Sequence, residues 1–450
     1  MLVRFSLENW KSFRDRVEIS MLASRERQHG ERLFPLKKYQ NRLLPIAVLY
    51  GGNASGKSNL FEALTFIKSF VLLGTRMPDA PVGVQPFLLE REARERPVRF
   101  SLEILIDGTI YCFEFGATSK AVVEEKLVKI LSNRELVLYE RSGGEIKFDP
   151  EKISGREERD FLKYVARGTR SNQLFLTNSI LQSVEKFRPV YDWFKNTLSL
   201  IGPASRFQPY EKLFGEDAPL GAYAEKLLAR MDTGICRLDT EMLESLPVPE
   251  HVKADLEENI QEGQIVTFST SLKKRLIVAR KDGALVAKKP VAIHRGWDGE
   301  DVSFDLRQES DGTCRLLDLL PAFKEPSSPE NDKVICIDEL GRSLHPLLTR
   351  RLLELHLSNC GDRRQSQLLV TTHDILTIDQ SLLRRDEMWV TERDARGVSR
   401  LYSFGDYKEA RYDEDLRKSY LKGRMGGVPR IFLSDISESF GESFEEEAEG

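Results

Sequence analysis

Apolar residues fall along this chain in three rhythms. In the first, they alternate with polar ones. This occurs over 2–8 and 17–21, over 100–115 around Asp107-Gly108, over 122–139, and over 266–278 with 284–293 around Asp282-Gly283. Period-two alternation predicts half-buried strands, and each Asp-Gly pair predicts a tight hairpin turn. The second rhythm is helical. Leu60, Leu64, Ile67 and Val71 form one stripe, which suits a helix lying on a sheet. Helices are also expected over 156–167, 313–323 and 347–357, and over much of 184–262, broken at Gly202-Pro203 and Pro247-Val248-Pro249. The third rhythm is the short unbroken apolar run, which reads as a buried strand. Runs of this kind cover 46–50, 334–337, 368–371 and 388–390, and 174–180 reads as a strand or strand end. In the last third such runs take turns with helices, the pattern of a parallel sheet covered on both faces. Residues 24–42 and 74–97 read as connections, and 435–450 as an acidic disordered tail.

The class expected is therefore α/β. Borders are expected near 183 and 265, separating an N-terminal lobe (1–183), a short helical insertion (184–265) and a C-terminal lobe (266–434) ahead of the tail (435–450). Composition narrows the classes. The chain has 450 residues with 40% hydrophobic and 31% charged content and a net charge of −4, a soluble globular balance with no bulk basicity. No apolar run approaches the roughly 20 residues needed to cross a bilayer, and no basic-then-apolar leader opens the chain, so a cytoplasmic protein without a membrane partner is expected. The five cysteines have no paired spacing, and the six histidines do not cluster with them, which argues against a disulfide framework or a zinc site.

Chemistry enters at the run 46–50. It leads into Gly51-x-x-x-x-Gly56-Lys57-Ser58, and the helical stripe follows. Strand, glycine-rich turn and helix are the context a P-loop requires. Glycines let successive N–H groups curl around a phosphate, and the helix adds its positive end. Lys57 is placed to reach the β- and γ-phosphates, and the Ser58 hydroxyl to hold Mg2+. A carboxylate for the metal and a group to orient water are then needed. The run 334–337 ends in Asp338-Glu339, which supplies Asp338 as metal ligand and Glu339 as general base. The run 368–371 ends in Thr372-His373-Asp374, and His373 can reach a γ-phosphate or the attacking water. Glu309-Ser310-Asp311-Gly312-Thr313 opens a helix, where a hydroxyl and a glycine make an anion site or a plain N-cap.

P-loop, serine–glycine helix start, Asp-Glu strand end and strand-end histidine, in that order, resemble an ABC-type ATPase head. The chain is similar to the bacterial ATP-binding proteins related to RecF, SMC and OLD that serve in anti-phage systems, such as the ATPase subunits AriA of PARIS and RloA. The matching pieces are Ser6-Leu7-Glu8-Asn9-Trp10-Lys11-Ser12-Phe13, Gly51-x-Asn53-x-Ser55-Gly56-Lys57-Ser58-Asn59, Met231-Asp232-Thr233-Gly234-Ile235, Glu309–Leu317, Asp338–Pro346 and Tyr420–Gly427. The resemblance implies an ABC head with a mixed, largely parallel P-loop sheet, an antiparallel β-subdomain and a short helical insertion. It implies ATP and Mg2+ as cofactors. It makes Lys11, Gly51, Asn53, Ser55, Gly56, Lys57, Ser58 and Asn59 nucleotide-binding, Ser310, Gly312 and Thr313 the signature, 343–346 the D-loop, and His373 the switch histidine. It also asks for a glutamine at the metal, with Gln182 or Gln173 as candidates. The signature is degenerate, Ser-Asp-Gly-Thr.

In such heads the signature of one subunit caps the nucleotide on another, so the resemblance implies a homodimer or larger homo-oligomer. OLD-type relatives carry a nuclease after the head. Here about 110 residues follow Glu339 and show no place for one, so effector chemistry is expected on a separate protein. Asp413 and Asp415 read as a solvated helix face. The hairpin 273–289 carries Lys273, Lys274, Arg275, Arg280, Lys281, Lys288 and Lys289 against Asp282. It is either a surface for nucleic acid or a solvated face. The alternative function is a RecF-like DNA-binding ATPase of repair or recombination.

Overall fold

The computed structural model describes residues 1–149, 155–206, 212–214, 218–269, 275–323, 333–361, 366–407 and 415–428. The acidic stretch 435–450, Asp413, Lys273 and Lys274 lie outside them. The chain is mixed α/β and forms two units, 1–198 with 369–450, and 199–368.

In the first unit the alternating segments build a seven-stranded antiparallel sheet. Its order is Glu145–Lys147, Glu135–Ser142, Val122–Ile130, Thr109–Ala117, Val98–Ile106, Leu2–Glu8, Val17–Ser20. The hairpin turn at Asp107-Gly108 has φ of 45° and 69°, the double left-handed geometry that selects this pair. One face of the sheet meets the P-loop helix, Lys57–Leu73. Phe66 and Phe70 on the helix pack against Trp10, Phe100 and Phe115, with ring centroids 5.2–5.8 Å apart. The P-loop strand Ile46–Tyr50 is buried throughout and runs parallel to Met388–Arg393, which continues antiparallel into Ser399–Ser403.

Two expectations for this unit are corrected. Residues 174–180 are not a strand but the start of a helix, Phe175–Leu181. The Glu125 carboxylate accepts the Phe175 and Leu176 N–H groups at 2.6 and 2.9 Å, so its cap comes from a distant strand. A short apolar run cannot reveal such a cap. Residues 24–42 are not a bare loop but hold short turns and a ladder, Phe34–Leu36 with Asn41–Leu43, because Leu33, Leu36 and Leu43 are buried.

The second unit centres on the 12-residue strand Ala284–Arg295. Ile235–Met242 lies on one side of it, and Arg275–Lys281 and Asp301–Asp305 pair with its two halves on the other. Asp282 and Gly283 close the expected hairpin with φ of 52° and 77°. The stretch 184–265 is not simply helical. It holds helices Arg188–Asp192, Gly221–Leu228 and Glu250–Asn259, but also strands Leu198–Ile201 and Ile235–Met242. The last was hidden because Ile235 and Leu238 are both buried at helical spacing. A register shift between Ile235 and Arg237 inserts one extra residue and returns both to one face.

A buried ionic knot ties 24–28 to 384–387 in the first unit. Arg384, fully buried, grips Asp386 with two hydrogen bonds (2.8 and 2.7 Å) and donates to the carbonyls of Glu26 and Gln28. Glu387, also fully buried, accepts the Arg384 N–H at 2.8 Å, and burial pushes its carboxyl up to about 8. A carboxyl raised from 4.5 to about 8 favours the folded state fully below 4.5, and that contribution is lost as pH rises through 8. Relative to a Glu387→Gln chain, the natural chain is expected to lose up to ~1.4 kcal/mol per pH unit across that window. Urea midpoints of both chains at pH 5, 7 and 9 check this, and parallel pH curves would refute it.

Candidate functional site

The phosphate loop is shaped by contacts that leave no room for side chains. At Gly51 (φ 147°) a Cβ would sit 2.5 Å from the Thr391 carbonyl oxygen and 2.6 Å from Ser55 Oγ. At Gly56 (φ 116°) it would sit 2.8 Å from Ser399 Oγ and 3.0 Å from the Phe13 ring. Ser55 is buried, and its hydroxyl meets that of Thr391 at 2.7 Å. Asn53 is exposed at the loop tip, and Ser58 is half-buried in the first helical turn. Lys57 is buried, and its ammonium donates to the carbonyls of Gly51 (2.8 Å) and Gly52 (2.9 Å).

The N-terminal motif braces this loop. Asn59 Nδ2 and Ser399 Oγ both donate to Ser12 Oγ at 2.7 Å, and Trp10 Nε1 donates to the Asn59 carbonyl at 2.7 Å. Asn9 is buried, and its amide donates to the Ala93 carbonyl at 2.7 Å and to that of Arg96 at 3.0 Å. Lys11 reaches the same helix but forms an ion pair with Glu62, and burial lowers its pKa. His373 is exposed and follows Thr372, whose N–H donates to the carbonyl of Leu49 on the P-loop strand at 3.0 Å. Gln182 is exposed at the end of helix Phe175–Leu181. Gln173 is buried, with its side-chain oxygen 3.5 Å from Arg170 Nε.

In the second unit, Ser310 caps the helix Asp311–Leu319. Its hydroxyl accepts the Thr313 N–H at 3.0 Å and lies 2.9 Å from Thr313 Oγ1. Gly312 abuts the next motif, where a Cβ would stand 2.6 Å from the Ser343 carbonyl oxygen. Asp338 is buried at the end of Val334–Ile337, and its N–H donates to the Ile201 carbonyl at 2.9 Å. Glu339 is half-buried with φ 52° and has a carboxylate oxygen 3.9 Å from Arg342. Sequence reading missed Arg315. It is buried one turn into the signature helix and donates to the carbonyls of Gly202 (3.1 Å) and Asp338 (3.3 Å), so it fixes that helix to the strand carrying the acidic pair. Burial lowers its pKa. The only signal was an arginine two residues after Thr313 in an otherwise apolar turn.

The first unit thus gathers Gly51–Asn59, Lys11 and the strand leading to His373. The second gathers Ser310–Thr313, Ser343, Asp338 and Glu339. Ser58 offers a hydroxyl in the first unit and Asp338 a carboxylate in the second, each a hard oxygen donor. Among the described residues no group of three or more His, Cys, Asp or Glu could hold a metal ion.

The basic hairpin is smaller than it reads. Arg275 is buried and paired with Asp318 at 3.0 Å, Lys289 meets Glu241 at 2.8 Å, and Arg280 donates to the Glu257 carbonyl. Lys281 and Lys288 are exposed.

Comparison with known proteins gives one family. Residues 46–379 match the AAA_21 model, described as "AAA domain, putative AbiEii toxin, Type IV TA system". No curated protein matches. Among solved structures, the chain is similar to an SMC head bound to the C-winged helix domain of ScpA, at 13% identity over 89% of this chain and 97% of that one, TM-score 0.36. It is also similar to the SMC head domain from Thermotoga maritima, at 13% identity over 89% and 98%, TM-score 0.32. At these TM-scores the likeness adds nothing to the fold already described.

Gly312→Ala tests the tight contact in the second unit. Alanine improves helix propensity by at most ~1 kcal/mol. Forcing a methyl to 2.6 Å from a backbone oxygen is expected to cost more, about 1–3 kcal/mol net. Urea unfolding should show a lower midpoint, and an equal or higher one would mean that Ser343 yields freely.

Proposed function

This chain belongs to the AAA_21 family, and on that premise we propose that it is an ATP-binding and ATP-hydrolysing switch subunit of a bacterial anti-phage system that governs a separate effector protein. The observation that carries the reading is the P-loop itself, a glycine-shaped passage with Lys57 and Ser58 at the start of a helix. The family description, with its reference to an AbiEii toxin and a toxin–antitoxin system, supports the defensive role.

In the proposed reaction Lys57 leaves the carbonyls of Gly51 and Gly52 and takes up the β- and γ-phosphates, while the loop N–H groups cradle them. Asn53, Ser55 and Asn59 complete the loop, and Lys11 lies beside its helix. Ser58, Asp338 and Gln182 would hold Mg2+, whose role is to draw charge from the phosphates. Glu339 takes the proton of the attacking water, and His373 senses the γ-phosphate. Ser310, Gly312 and Thr313 of a second copy close over the nucleotide. Closure driven by binding and release driven by hydrolysis make a switch rather than a bulk catalyst. The RecF-like alternative needs a surface for nucleic acid, and at the basic hairpin Arg275 and Lys289 are engaged by Asp318 and Glu241.

Lys57→Ala is expected to remove Mg2+-dependent ATP binding. Glu339→Gln should keep it while hydrolysis falls by about 10²–10⁴-fold, the usual contribution of a general base. Phosphate release and fluorescent-nucleotide titration measure both, and undiminished hydrolysis in Glu339→Gln would remove Glu339 as base. Ser310→Arg should bind ATP but not hydrolyse it. Mixing it with Lys57→Ala should restore part of the activity, because an intact loop on one copy then meets an intact signature on the other. A mixture as inactive as its components would refute capping in trans.

A further inference from the structure

Within the second unit, beside the signature helix, lies a cavity of about 560 Å3. Five guanidinium groups line it: Arg206, Arg275, Arg307, Arg315 and Arg342. Three carboxylates, those of Glu309, Asp311 and Asp318, face them. Two of the three are engaged: Asp318 with Arg275 at 3.0 Å, and Glu309 with His294 at 2.6 Å. Asp311 sits in the first turn of its helix, where the helix dipole already favours a negative charge. Arg275, Arg307 and Arg342 are matched by Asp318, by Asp305 at 3.0 Å and by Glu339 at 3.9 Å, so the positive excess of the cavity rests on Arg206 and Arg315 against Asp311. Arg315 adds an independent sign. It is buried, its two terminal nitrogens donate to backbone carbonyls rather than to a carboxylate, and its Nε has no hydrogen-bond partner. Arg307, forked on Asp305 at 3.0 Å, and Arg342, 3.9 Å from Glu339, are half-exposed at the same cavity, where an incoming phosphate can compete with those carboxylates.

Converging guanidinium groups repel one another and are matched best by phosphate, which each can bind through two parallel hydrogen bonds. The volume lies within the range of small-molecule sites and exceeds what one phosphate fills. We propose that this basin is a second anion site that binds a chain of phosphoryl groups, distinct from the P-loop. A concave cavity suits a compact oligophosphate better than an extended nucleic-acid strand. Arg307 and Arg342 are the residues that grip it, and Arg275 and Arg315 set the positive floor.

The test uses the full chain carrying Lys57→Ala, in EDTA, so that neither the P-loop lysine nor a divalent ion contributes. Tripolyphosphate is titrated by calorimetry. Saturable binding is expected, weakened about tenfold for each of Arg307→Ala and Arg342→Ala, the usual loss for one charge-assisted contact. Both positions are exposed, so both variants should fold, and Arg307→Lys with Arg342→Lys should fall between. ATP titrated in the same way separates two sources of one chemistry. Binding equal to tripolyphosphate means a nucleotide tail, and weaker binding means an inorganic chain. No saturable binding in the Lys57→Ala chain, or equal binding after both arginines become alanine, overturns the proposal. So does single-stranded DNA binding that tripolyphosphate does not displace. Failure of the P-loop reading would look different: Mg2+-dependent ATP affinity of the Arg307→Ala/Arg342→Ala chain would be unchanged by adding Lys57→Ala.

Discussion

The first unit depends on a backbone passage with no room for a Cβ at either end, Gly51 or Gly56. Between Gly51 and Gly56 the chain slips past the Thr391 carbonyl, Ser399 and the Phe13 ring, with gaps of 2.5–3.0 Å measured to an added carbon. The walls of that passage come from the two ends of the unit's chain, the Asn9–Phe13 turn and the late hairpin. This explains residues that otherwise look incidental. Ser12 is the meeting point of Asn59 and Ser399, Trp10 closes on the Asn59 carbonyl, and buried Asn9 holds the turn to the backbone at 93 and 96. The phosphate loop is thus a product of tertiary packing as much as of its own glycines.

What was legible in the sequence was local. Asp-Gly pairs state their own turn geometry, and the P-loop states its own helix start, so both hairpins and the strand–loop–helix unit were readable. What was not legible depended on distant partners. The helix Phe175–Leu181 is capped by Glu125 from another strand. Ile235–Met242 has helical spacing because one extra residue kinks a strand. Of the candidate site residues, those in contiguous motifs were readable as candidates. Arg315 was not, because an arginine's role is set by what surrounds it. The same reason misled in reverse at Arg275, which looked like a surface cation and is buried against Asp318.

Buried arginines recur as structural ties in both units. Arg384 binds a carboxylate and two carbonyls to hold 24–28 in place, and Arg315 binds two carbonyls to hold the signature helix to the acidic strand. A planar, always-charged fork can join several backbone oxygens at once, which a lysine cannot do with the same geometry. Such ties fix relative position more than they add stability, since desolvating the charge offsets much of the attraction.

The hydrogen bonds from Lys57 to Gly51 and Gly52 have a consequence for discrimination among anions. A ligand that draws the ammonium away must replace two charge-assisted bonds, each worth on the order of 1.5–3 kcal/mol. Orthophosphate, offering little beyond that replacement, stands near break-even. A longer anion that also fills the ring of loop amides comes out ahead. On the proposed function the lysine would set a threshold, and the loop would grade its guests by length before any catalytic group is involved.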